Sequence, residues 1–162
     1  MNELMARLKT YDWGGDRGTL KDLDNLIVAA QNDPGTLSDI ELALLEVLQS
    51  EVPLPAKEYI CRQLALIGTS RSVAVLAGML TEPELSARAR FAPEAIPDAS
   101  VDDALRSALA NAAGVLRVGI VNTLGERRDP KAVPLLTEMQ NSDDGVLSRA
   151  AAAALRKIAP PA

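Results

Sequence analysis

The chain has 162 residues, 48% hydrophobic and 2% aromatic, a composition of close-packing aliphatic helix formers that excludes strand-like alternation and points to an all-α fold. A net charge of −5 and a pI near 4.8 exclude the broad basic footprint of a phosphate-backbone binder. The single Cys61 excludes an internal disulfide framework, and the absence of histidine removes His-based acid–base chemistry, His-activated nucleophiles and most zinc or iron sites.

Asn2 to Lys9 reads as a short amphipathic helix with Leu4, Met5 and Leu8 on one side. The glycine-rich stretch Tyr11-Asp12-Trp13-Gly14-Gly15 breaks it, and Thr19 is the expected cap of the next helix, with Leu20, Leu23, Leu26 and Ile27 at helical spacing. Asp33-Pro34-Gly35 reads as a turn, and Ser38 with Glu41 three residues on as a capping box. Further helices are expected after Pro53, from Ser70 to Leu80, from Glu82-Pro83 to Ile96, and from Ser100, which would cap its helix. The next run ends in Leu124-Gly125. The turn Glu126-Arg127-Arg128-Asp129 follows, with local charge pairing expected, and two more runs start at Pro130 and after Gly145. Ten helices in five antiparallel pairs result, joined by short connections.

The ends of the second helices, Ile67, Ile96, Leu124 and Ile158, lie 29, 28 and 34 residues apart. A Val near the start of each following first helix (Val73, Val101, Val133) has an apolar partner three residues on (Leu76, Ala104, Leu136). Leu64, Pro93, Val121 and Leu155 precede the four ends by three residues. Self-similarity at this period, with helix pairs as the unit, predicts an α-solenoid: one pair cannot bury its own apolar faces, and stacking makes a continuous core.

The final unit, DDGVLSRAAAAALRKI, resembles the second half of a bacterial HEAT-like repeat of the PBS-lyase type, and ERRDPKAVPLLTEM before it resembles that repeat's opening turn and first helix. The resemblance covers about residues 36–159 of a single 1–162 domain and leaves 1–35 as a divergent N-terminal cap. It departs at Pro93, where an aliphatic residue is usual and a kink is expected, and at Arg156, where glycine is common. It implies a right-handed HEAT-like or ARM-like superhelix of about five helix pairs, whose second helices line a concave surface. Arg62, Phe91, Glu94, Asn122 and Arg156 would then form a mixed ridge beside a gap at Gly119, suited to gripping a polypeptide around an aromatic anchor.

Tyr11 and Trp13 form a second candidate site. Trp13 is expected to fold over the open end of the first helix pair, because a solenoid must cover its terminal core. Cys61 reads as a structural thiol, and Asp102, Asp103, Asp143 and Asp144 as helix-start residues. Gly14, Gly15 and Gly18 lack the strand and the Gly-Lys-Ser/Thr of a phosphate loop. The function expected is a non-catalytic protein-binding scaffold, or a portion of a larger protein. It would have no cofactor, metal or nucleic-acid partner, and would be a monomer or weak homodimer. Kinship offers an alternative class: a bilin lyase-type chromophore chaperone, or a HEAT-like nucleic-acid enzyme. The N-terminus lacks the apolar core of a signal peptide and no run is long enough to span a membrane, so the expected location is cytoplasmic.

Overall fold

The computed structural model describes residues 1–80, 82, 84–85 and 94–159, and these are helical with no strand. Nine α-helices are seen among the described residues: α1 (Asn2–Lys9), α2 (Gly18–Ala29), α3 (Pro34–Leu48), α4 (Leu54–Ile67), α5 (Ser70–Met79), α6 (Ala99–Asn111), α7 (Gly114–Glu126), α8 (Val133–Gln140) and α9 (Gly145–Ile158). A 3₁₀ turn, Pro130–Ala132, leads into α8. The helix expected from Glu82 to Ile96 falls largely outside the described residues, as do Phe91 and the kink expected at Pro93.

Acidic caps set the starts of three helices, α3, α6 and α9. Asp33 Oδ1 accepts from the amides of Gly35 and Thr36, both at 3.1 Å, and Pro34 takes the first helical position, where its fixed φ suits the helix and its missing N–H costs nothing. Asp33-Pro34-Gly35 therefore opens α3 instead of forming a separate turn, and Ser38 lies inside the helix. The cap of α6 is Asp98, which accepts from the amide of Ser100 at 2.8 Å, so Ser100 is the donor to the cap and not the cap itself. Asp144 does the same for α9. Thr19, expected as a cap, is buried one residue inside α2, and Asp16 accepts from the Gly18 amide in its place.

Consecutive helices pack on one another: α1 against α2 and α3, α3 against α4 and α5, α5 against α6, α6 against α7, and α9 against both α7 and α8. One hydrophobic cluster runs through these contacts from Leu4 to Ala154, and it includes Leu64, Val73, Leu76, Val101, Val121 and Leu136 from the repeat positions. Leu124-Gly125, expected as a helix end, lies in the last turn of α7, which ends at Glu126. A Cβ on Gly125 would sit 2.7 Å from Ala154 Cα, so the glycine permits the close approach of α7 and α9.

Buried polar side chains tie the helix pairs together. Glu41 of α3 is fully buried and accepts from the Thr69 amide at 2.7 Å, the Thr69 hydroxyl at 3.0 Å and the Ser72 hydroxyl at 2.6 Å. Its carboxylate holds the N-terminus of α5, where orphan amides and the helix dipole favour a negative charge. It is not the second half of a capping box on its own helix. Arg127 reaches back to the Ile96 and Asp98 carbonyls at 2.8 and 3.0 Å and pairs with Asp102, while Arg106 pairs with Asp103 and with the buried Asp129. Charge pairing at the 126–129 turn therefore reaches chiefly back to α6 and is not local to the turn.

Candidate functional site

Two helical stripes with the same spacing face each other near the N-terminus. Arg17, at the start of α2, is followed on that helix by Leu20, Lys21 and Asp24. Pro55, Glu58, Tyr59 and Arg62 lie on α4. Each set follows i, i+3, i+4, i+7, the pattern that places side chains on one face of a helix. Tyr11 and Trp13 close one end, and the eight stripe residues with these two aromatics line a cleft of about 420 Å³.

The loop after α1 explains how the aromatics are presented. The Gly15 amide donates to the Asp12 carbonyl at 2.9 Å, making a tight turn with Trp13 and Gly14 as its central residues, and Gly14 has φ +79°, which favours glycine. Asp12 Oδ1 accepts from the Trp13 amide at 2.7 Å. This geometry pushes Trp13 outward, and it is 75% exposed. The expectation that Trp13 folds over the end of the first helix pair is therefore corrected. The half-buried Tyr11 packs against the core in its place.

Tyr59 forms the floor. Its hydroxyl lies 2.5 Å from Asp24 Oδ1 and 2.9 Å from the Leu20 carbonyl, so α4 is bonded directly to α2. Burial first, and then the bond to Asp24, push the Tyr59 hydroxyl well above its ordinary pKa, which keeps it a protonated donor. The Arg62 guanidinium carbon lies 5.5 Å from the Tyr59 ring centroid, within reach of a cation–π contact worth about 0.5–1 kcal/mol at an exposed site. Arg17, Lys21 and Arg62 are all exposed, and no carboxylate among the described residues forms an ion pair with them.

Of the ridge residues read from the sequence, only Arg62 lines this cleft, where it joins Tyr11 and Trp13, the separate second candidate. Glu94 accepts from the buried Thr123 hydroxyl at 2.9 Å and so braces α7. Asn122 and Arg156 are exposed on α7 and α9, away from the cleft lining, and Phe91 lies outside the described residues. Gly119 is buried in α7. Sequence reading missed Arg17, Lys21, Asp24 and Tyr59. Their i, i+3, i+4, i+7 spacing was a usable signal once paired with the same spacing on α4.

The chemistry of the region is that of contact. Cys61, next to Arg62 in sequence, is fully buried, and burial pushes its thiol up to about 12, far from nucleophilic reactivity at neutral pH. Among the described residues no three His, Cys, Asp or Glu side chains could hold a metal ion together. No helix of the described residues is long and apolar enough to cross a membrane. A larger opening of about 950 Å³ runs between the 49–53 connection and α5, and its lining among the described residues carries no aromatic side chain. Compared with known proteins, the chain matches no protein family, no curated protein and no solved structure.

Proposed function

We propose that the chain is a HEAT-like stack of antiparallel helix pairs acting as a non-catalytic scaffold that binds a polypeptide, with the cleft between α2 and α4 as its main contact. The observation that carries this reading is Trp13. A large apolar side chain left 75% exposed costs solvation with no return from the fold, and it stands at the mouth of a concave site with a second aromatic beside it. Buried aromatics and arginines dominate binding energy at protein interfaces, and the cleft offers both. The reading shifts the centre of contact from the ridge Arg62, Phe91, Glu94, Asn122 and Arg156 to Tyr11, Trp13 and Arg62, because Glu94 is engaged within the fold. The repeat spacing and the continuous core from Leu4 to Ala154 support the stacked-pair architecture. The overall acidity of the chain weighs against a nucleic-acid enzyme.

The test is affinity capture from a lysate of the source cell with three baits: wild type, Trp13→Ala/Arg62→Ala, and Asn122→Ala/Arg156→Ala. Circular dichroism confirms that each bait is folded. A polypeptide retained by the wild type and the last variant, but lost from the first, is the expected result. Loss from the last variant alone would place the contact on the ridge. Retention of a visible chromophore in place of a protein would favour the chromophore-chaperone class.

A further inference from the structure

The cleft has a charge character opposite to that of the chain. The whole sequence carries −5, yet among the described residues three cations, Arg17, Lys21 and Arg62, line the site against two carboxylates, Asp24 and Glu58. Asp24 already has one oxygen 2.5 Å from the Tyr59 hydroxyl. Arg62 lies against the Tyr59 ring, and a guanidinium stacked on an aromatic keeps its N–H edge available for a planar acceptor. Elsewhere Arg106 and Arg127 are held by carboxylates, whereas no carboxylate among the described residues forms an ion pair with Arg17, Lys21 or Arg62.

We propose that the occupant of this cleft is an acidic linear peptide segment: an apolar side chain seated between Tyr11 and Trp13, with flanking carboxylates that meet Arg17, Lys21 and Arg62. The inference rests on the polypeptide-binding reading and specifies its ligand. About 420 Å³ is room for two or three side chains, which suits a short segment better than a folded surface. The aromatic pair supplies apolar contact area at low entropy cost, and the cations supply charge-assisted bonds and selection against basic segments. An extended polyanion such as a nucleic acid would run off the cleft onto a surface of net negative charge, whereas a short acidic peptide would not.

Trp13 is the only tryptophan, so its fluorescence reports on this site alone. The full chain is used to select from a random, tryptophan-free dodecapeptide library, and selected peptides are titrated against Trp13 fluorescence. The same titration is run with Arg17→Gln/Lys21→Gln/Arg62→Gln and with Trp13→Phe, each checked for helix content by circular dichroism; the Trp13→Phe chain is followed by fluorescence anisotropy of a labelled peptide. The expected result is enrichment of Asp and Glu around an apolar residue. Binding should be at least tenfold weaker to the triple variant, and at least tenfold weaker for the peptide's Asn/Gln analogue. Neutral or basic peptides that need Trp13 but ignore the triple variant would overturn the acidic ligand and leave the polypeptide reading intact. Selection of no peptide that depends on Trp13 would overturn both. A single-stranded oligonucleotide or inorganic phosphate that perturbs Trp13 at lower concentration than any selected peptide would also overturn the proposal.

Discussion

The α2–α4 cleft and the turn after α7 use the same residue types to different ends. At the turn, Arg127 spends its donors on two backbone carbonyls and Asp102, and Arg106 is gripped by Asp103 and the buried Asp129. At the cleft, Arg62 lies over a ring face, Arg17 and Lys21 reach solvent, and the largest side chain of the protein, Trp13, is left out of the core. A cation paired across helices fixes how those helices sit. One without a carboxylate contributes little to the fold and remains available to a partner. The distinction is made by tertiary placement and not by residue identity.

That contrast predicts a graded set of responses. The largest belongs to the structural side. Glu41→Ala removes the acceptor for three donors at the start of α5, and its expected cost is about 2–4 kcal/mol in a urea titration, with Glu41→Gln costing less because one acceptor oxygen stays. Gly125→Ala should cost about 1–3 kcal/mol, since the new methyl meets the α9 backbone at Ala154 and one helix must move. Trp13→Ala should change stability by no more than about 0.5 kcal/mol while abolishing peptide binding. A loss of 2 kcal/mol there would make Trp13 a structural cover after all and break the comparison.

The smallest effect is electrostatic. Hydrogen bonds from Thr36, first its hydroxyl and then its amide, lower the Asp33 pKa below 3.8, and the Ser100 hydroxyl and amide do the same for Asp98. A carboxylate with a depressed folded pKa stabilises the fold at pH values above its unfolded value, and that contribution is lost as pH falls through the folded one. Asp33→Asn and Asp98→Asn should therefore narrow the stability difference between pH 6 and pH values below 3.8, read from thermal midpoints across that window.

Much of the helical grammar was legible in the sequence because it is local. The spacing of Leu64, Val73, Leu76 and Val121 marks positions that the core does bury. Caps were read less well: Ser38, Thr19 and Ser100 were plausible on propensity, but Asp33, Asp16 and Asp98 stood two to five residues earlier and accept more strongly. Leu124-Gly125 carried the mark of a helix end, and only the approach of Ala154 reveals its other use. The cleft was half legible. Tyr11, Trp13 and Arg62 stood out singly, but their meeting depends on the Tyr59 hydroxyl bonding to Asp24, 35 residues away. Periodicity along one helix cannot say which other helix it faces, and a single tryptophan's preference for the interior is overridden by a tight turn with a positive-φ glycine.

The most direct test compares two arginines. Equilibrium urea unfolding, followed by far-ultraviolet circular dichroism, is measured for Arg62→Gln beside Arg127→Gln. The account predicts that Arg62→Gln costs less than about 1 kcal/mol, the size of its cation–π contact, while Arg127→Gln costs about 2 kcal/mol or more, because Asp102 and two carbonyls lose their donor. Equal losses, or a larger loss at Arg62, would contradict it, since the cleft arginine would then be part of the scaffold and not reserved for a partner.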